Sequence, residues 1–343
     1  MGTLAPHFRA STGLDAASAN GTPSSLASDR GPTDEFNYLT EKIAEAEFDP
    51  HPFPHIVITD FLSDQHFESV TRCQQVDLAP QPSTEALIET MLAHGYRVES
   101  FPGCTTNIAD YIRCLSKDRW PVDKRKLEGY GMVFRLQKIE DPTVARLVSF
   151  LGSAAFKSAL EAKFAVTRPT RIDTAIQKYL SGYEISPHPD IRSKCLTYLI
   201  NINPDESADG LSVHTRLLKF KPEWEFIYLF WEKNPGIDRC WVPWDWCTVE
   251  KTISPNNSIV AFATSDQSLH AVKLRYDHTR FQRTQIYGNL WHTDVPYGAL
   301  ASVEYNMFDI QGRGRRAPAP TALKSAKNLA IAARNSVWRR WRL

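Results

Sequence analysis

The stretch "PHPD" at residues 187–190 sets His188 and Asp190 on either side of a proline. Residues two apart on an extended strand face the same way, so this imidazole and this carboxylate can reach one metal ion. Two ligands do not hold an open catalytic site. A third is offered far downstream by His270, which follows the apolar run Ile259, Val260, Ala261 and Phe262 and opens another extended stretch. Two histidines and a carboxylate on one side of a metal leave positions free, a donor set suited to Fe(II) and O2 chemistry. The same donors suit Zn2+ and hydrolysis. A lone His-x-Asp is an ordinary accident in a chain with ten histidines. What raises this one is the distal histidine in a β-rich setting.

A cosubstrate site separates these chemistries. An oxygenase that uses 2-oxoglutarate must hold the distal carboxylate, and a forked guanidinium does so with two hydrogen bonds. After His270 the chain reads "AVKLRYDHTRFQRTQIYGNLW", with Arg280 in a connection and Arg283 opening a strand. Alternation along that strand puts Arg283, Gln285, Tyr287 and Asn289 on a polar face and Thr284, Ile286, Gly288 and Leu290 on the other. The face favours Arg283; the spacing from His270 favours Arg280.

Residues 171–292 resemble the 2-oxoglutarate/Fe(II) dioxygenase superfamily, and more closely its prolyl 4-hydroxylase-like branch. The resemblance lies in an ordered set: Tyr179, Gly182 in a turn, "PHPD", the Thr-containing strand "KCLTYLININ", His270, and Arg280 or Arg283. It implies a double-stranded β-helix, Fe(II) held by His188, Asp190 and His270, and 2-oxoglutarate and O2 as cosubstrates. It further implies hydroxylation of a small molecule or peptidyl residue, with release of succinate and CO2, and a cosubstrate contact from Tyr179. Two departures stand out: "DESADGLSVHT" replaces the Gly-Gly stretch such domains often carry, and the step from His270 to Arg283 is long. Asp190 is present, which speaks against halogenation. The alternatives are a catalytically silent jelly-roll binding module and a metal-dependent hydrolase.

Other side chains fit less sharply. "CWVPWDWCTVEK" holds Trp241, Trp244 and Trp246; Trp244 and Trp246 are candidates for a substrate wall or for lid packing. His214 is a candidate substrate-side residue, although a lone histidine in a strand is more often structural. Arg192, Lys194, Arg216, Lys219 and Lys221 hint at an anionic substrate, and surface cations explain them equally well. No Gly-rich phosphate loop, nucleophile elbow or kinase motif set occurs.

The elements that must position these residues form an α+β chain. Residues 1–33, rich in Ser, Ala, Gly and Pro, read as disordered. Residues 34–170 read as an α-rich flank with a few strands: an amphipathic helix over 34–48, a strand and a Ser/Asp-capped helix over 53–73, helix over 84–117 broken near "FPGC", and helix over 143–165. Residues 171–295 read as the jelly roll, from the short runs "RIDTAIQKYL", "KCLTYLININ", "TRLLKF", "EFIYLFWE", "CTVEKTISP", "NSIVAFATS", "HAVKLRY" and "RTQIYGNLW". Residues 296–343 read as a basic extension with an amphipathic helix, either a solvated helix capping the sheet or one that attaches to an acidic partner or an anionic surface.

The net charge of +1 argues against nucleic acid as a partner. Six cysteines without a Cys-x-x-Cys pair read as reduced thiols, and with no signal peptide or membrane span the expected setting is the cytoplasm. Oligomeric state leaves no mark in the sequence.

Overall fold

The computed structural model describes residues 34–100, 104–116, 131–211 and 213–294. The segments read as a disordered start (1–33) and a basic extension (296–343) lie outside the described residues.

The elements run α1 (Tyr38–Glu45), β1 (His55–Ile58), α2 (Asp64–Thr71), α3 (Thr84–Ala93), β2 (Tyr96–Glu99), α4 (Ile108–Ser116), β3 (Val133–Leu136), α5 (Pro142–Leu151) and α6 (Ala154–Lys163). There follow β4 (Thr170–Tyr179), β5 (Glu184–His188), β6 (Lys194–Asn201), β7 (Thr215–Phe220), α7 (Phe226–Lys233), β8 (Cys247–Ile253), β9 (Ile259–Ala263), β10 (His270–Lys273) and β11 (Arg283–His292). Five of the helices start on a side chain that satisfies an otherwise orphaned N–H. Ser63, Ser83, Asn107, Asp141 and Ser153 accept from the backbone N–H of His66, Ala86, Asp110, Val144 and Phe156.

The strands form two antiparallel sheets, one ordered β1-β9-β6-β11-β4-β3-β2 and the other β5-β10-β7-β8. The helices α1–α6 cover the outer face of the larger sheet. Its outward residues Ile176, Leu196, Ile200, Ile286 and Leu290 share one apolar cluster with Leu39, Leu87, Leu147 and Leu160. The inner face meets the smaller sheet, where Leu199, Val260 and Phe262 pack on Leu217 and Ile253. Each such fully buried side chain contributes roughly 1.5–3 kcal/mol. The two faces of β11 thus divide as alternation foresees, with Ile286 and Leu290 toward the helices and Tyr287 packed against the inner cluster.

Two glycines are required by geometry. Gly182 turns the chain between β4 and β5 at φ +87°, which a side chain rarely allows. On β11, a Cβ at Gly288 would fall 2.0 Å from Cζ of the buried Tyr198.

Several expectations need correction. "EFIYLFWE" is not a strand: α7 spans it, because Ile227 and Trp231, four apart, pack together onto Leu218, Phe220 and Ala271 of the smaller sheet. The aromatic composition suits a strand, but burial on one helical face decides. The stretch read as helix over 84–117 contains β2, which joins β3 at the edge of the large sheet. The helix over 143–165 is two, parted at Gly152 and Ser153. Finally, β5 ends at His188, so Asp190 lies on the turn beyond it and not on the strand itself. Among the described residues no helix is long and apolar enough to cross a membrane, and all six cysteines are free.

Candidate metal centre

The pairing of β10 with β5 sets His270 directly opposite His188. Their rings lie 4.4 Å apart between centroids, and Asp190 reaches in from the turn, its Oδ2 3.8 Å from His270 Nε2. One ligand atom from each of the three lies within 4.8 Å of the others. Both rings are oriented the same way. Nδ1 of His188 donates to Ser186 O at 2.8 Å, and Nδ1 of His270 donates to Ser268 O at 3.0 Å. A carbonyl can only accept, so the proton sits on Nδ1 in each ring and the Nε2 lone pair is left for a cation. Burial, reinforced by the neighbouring His270, pushes His188 down to about 3, and burial lowers His270 as well. Both imidazoles are therefore neutral donors at neutral pH.

Asp190 is buried, with both oxygens engaged. Lys194 Nζ donates to Oδ1 at 2.7 Å and Thr197 Oγ1 donates to Oδ2 at 2.6 Å. Burial alone would raise this carboxyl, but the positive Lys194 beside it, which also donates a hydrogen bond, overcomes that and holds it well below the usual carboxylate range. Lys194 also donates to Tyr287 Oη at 2.8 Å and lies over the Tyr287 and Trp291 rings. Phe262 packs 4.8 Å from His270 and Trp241 lies 6.4 Å from His188, so the centre has an apolar shell. Two neutral, pre-oriented imidazoles beside one ionised carboxylate fit a divalent metal.

The two arginines part company. Arg280 is exposed, 3.5 Å from Asp277, and is not brought to the centre. Arg283 is 2% exposed. Its guanidinium donates to Thr215 Oγ1 at 3.2 Å and sits 4.6 Å from the centroid of the Tyr179 ring, while its buried Nε makes no hydrogen bond. No carboxylate among the described residues pairs with it. Tyr179 itself bonds Gln177 through its hydroxyl at 2.6 Å, so its ring, and not its hydroxyl, meets Arg283. On β7, Leu217 opposes His270 and Thr215 lies two residues along. At about 3.3 Å per residue, the Arg283 guanidinium is held roughly 7 Å along the strand from the His270 row.

The remaining candidates have partners of their own. Trp246 is buried in a stack on Trp224, 4.0 Å between centroids. Trp244 donates through Nε1 to Glu184 and lies under Arg216. His214 is buried, its Nε2 bonded to Ala208 O at 2.8 Å. It is Trp241 of that tryptophan group that stands beside the triad. Thr197 and Arg239 escaped notice in the sequence. Thr197 is signalled only by its place in the Thr-containing strand; Arg239 has no sequence pattern to mark it.

No family model matches the sequence, and no curated protein does. Solved structures similar to it include a prolyl-4-hydroxylase from Pseudomonas putida, at 7% identity over 75% of this chain and 98% of that one, with a TM-score of 0.37. A prolyl hydroxylase from Trichoplax adhaerens, in complex with a hypoxia inducible factor oxygen degradation domain peptide fragment, is 12% identical over 76% and 90%, with a TM-score of 0.36. The non-heme α-ketoglutarate dependent epimerase SnoN from nogalamycin biosynthesis is 10% identical over 82% and 92%, with a TM-score of 0.35.

Proposed function

We propose that this chain is an Fe(II)- and 2-oxoglutarate-dependent dioxygenase that hydroxylates an unactivated C–H bond of a small molecule or peptidyl residue. In this reading the two antiparallel sheets are the walls of a double-stranded β-helix. The observation that carries it is the combination of a cluster of two histidines and one aspartate with a buried guanidinium that has no acid partner among the described residues. A buried cation without a counter-charge is costly, and a bound dianion would remove that cost. The spacing along β7 matches the reach of a short diacid that touches the metal at one end and Arg283 at the other.

His188, Asp190 and His270 would hold Fe(II), which with 2-oxoglutarate and O2 supplies C–H oxidation coupled to release of succinate and CO2. Arg283 would bind the distal carboxylate, and the Tyr179 ring fixes the guanidinium by a cation–π contact. Lys194 and Thr197 hold the Asp190 carboxylate in place, and Phe262 and Trp241 limit water around the imidazoles.

The test is calorimetric titration of 2-oxoglutarate into Mn(II)-loaded protein. Hydrogen bonds to charged groups contribute about 1.5–3 kcal/mol each, so Arg283→Gln should weaken binding roughly a hundredfold or more, while Arg280→Gln leaves it unchanged. The opposite pattern would move the clamp to Arg280; no binding by the wild-type protein would refute the cosubstrate.

A further inference from the structure

A second buried guanidinium, that of Arg239, lies within electrostatic reach of Asp190 and has no part in the proposed reaction. Arg239 belongs to the segment between α7 and β8, which crosses the end of β5. There Val242 N donates to Pro187 O at 2.8 Å. Asp238 Oδ1 accepts from the backbone N–H of both Arg192 and Arg239, at 2.9 Å each, and Arg192 Nε donates to Ile237 O at 3.0 Å. The segment is thus stitched to the chain just past Asp190. Trp241, two residues beyond Arg239, is the tryptophan that flanks His188.

The Arg239 side chain is 5% exposed, and it lies within the electrostatic reach of Asp266, Arg192, Asp190 and Asp238. Its Nε makes no hydrogen bond. The nearest carboxylate oxygen, Asp266 Oδ1, stands 3.6 Å away, and that oxygen is also buried without a hydrogen bond. Asp266 is shared, at 3.5 Å, with Arg192. The pair is a loose one, close enough to offset charge and too long to satisfy either partner.

We propose that Arg239 binds a carboxylate of the primary substrate, so that the molecule oxidised is an organic acid held with its acid group beside the triad and its apolar part toward Trp241. The assignment rests on the dioxygenase reading for the identity of the reaction, but the anion site itself does not. In place of the loose contact with Asp266, a substrate carboxylate gives the guanidinium fork short, charge-assisted hydrogen bonds.

The experiment uses matched acid and amide probes: phenylacetate with phenylacetamide, hexanoate with hexanamide, and N-acetylprolinate with N-acetylprolinamide. Each is titrated calorimetrically into Mn(II)-loaded protein, with and without 2-oxoglutarate. At least one acid should bind about tenfold or more tightly than its amide. Arg239→Gln should erase that preference, and Arg280→Gln, which removes an exposed cation, should leave it. Arg239→Lys keeps the charge without the fork and should show a reduced preference, which covers the case in which the glutamine variant does not fold. The proposal is overturned if no acid outbinds its amide, if the preference persists undiminished in either Arg239 variant, or if Arg280→Gln abolishes it. Acid preference on the Mn(II) protein together with no binding of 2-oxoglutarate would refute the proposed reaction and leave the Arg239 site standing.

Discussion

Asp190 has both oxygens occupied by donors from β6: a lysine on one and a threonine hydroxyl on the other. The charge of Lys194 keeps the carboxylate ionised, and the Thr197 hydroxyl, on the oxygen nearer His270, sets where it points. Groups that orient a ligand in this way change metal affinity by about 10–100-fold. Thr197→Val conserves shape and removes only that hydroxyl, which also contacts Asn289 Oδ1 at 3.1 Å. Mn(II) affinity should fall by about that factor while the far-UV circular dichroism is unchanged. Undiminished affinity would mean that Lys194 alone orients the carboxylate. The His-x-Asp pair and the distal histidine were legible in the sequence because ligand chemistry restricts residue type. Arg239 was not, since an arginine in a loop looks the same in the sequence whether it is exposed or buried.

At the scale of elements, β4 divides its two faces between site and core. Tyr179 faces inward under Arg283, while Lys178 faces outward and is fully buried beneath the helices, donating to Val76 O and Thr284 Oγ1. Burial brings Lys178 down to about 7, from an ordinary value of 10.5. Between these two values the unfolded chain binds more protons than the folded one, so stability rises with pH across that window and levels off at its lower value below 7. Lys178→Met should remove this slope. The variant should be the more stable protein at pH 6, by an amount on the order of a few kcal/mol, and the advantage should shrink toward pH 10, as read by urea denaturation at each pH. A wild-type stability that does not depend on pH between 7 and 10 would show that Lys178 stays charged in the fold. The strands of this region were readable because β-branched and aromatic runs sit between turn residues. The same rule misread α7, where Phe226 and Leu229 are exposed and only the partners of Ile227 and Trp231 disclose a helix. The short β2 and β3 were missed for a related reason: four residues at a sheet edge carry too little pattern of their own.

For the molecule as a whole, the two sheets and the helical layer serve one arrangement. The helices bury one face of the large sheet, which leaves its other face, with Arg283, Tyr287 and Thr197, turned toward the sheet that carries His188 and His270. The central question is whether that space binds Fe(II) and 2-oxoglutarate together. Anaerobic addition of Fe(II) and then 2-oxoglutarate should produce a weak visible charge-transfer band of the keto-acid chelate. Admission of O2 should bleach it with formation of succinate, and His188→Ala, folded as judged by circular dichroism, should show neither the band nor succinate. A wild-type protein that binds Fe(II) yet gives no band with saturating 2-oxoglutarate, or a His188→Ala variant that gives the full band, would contradict it.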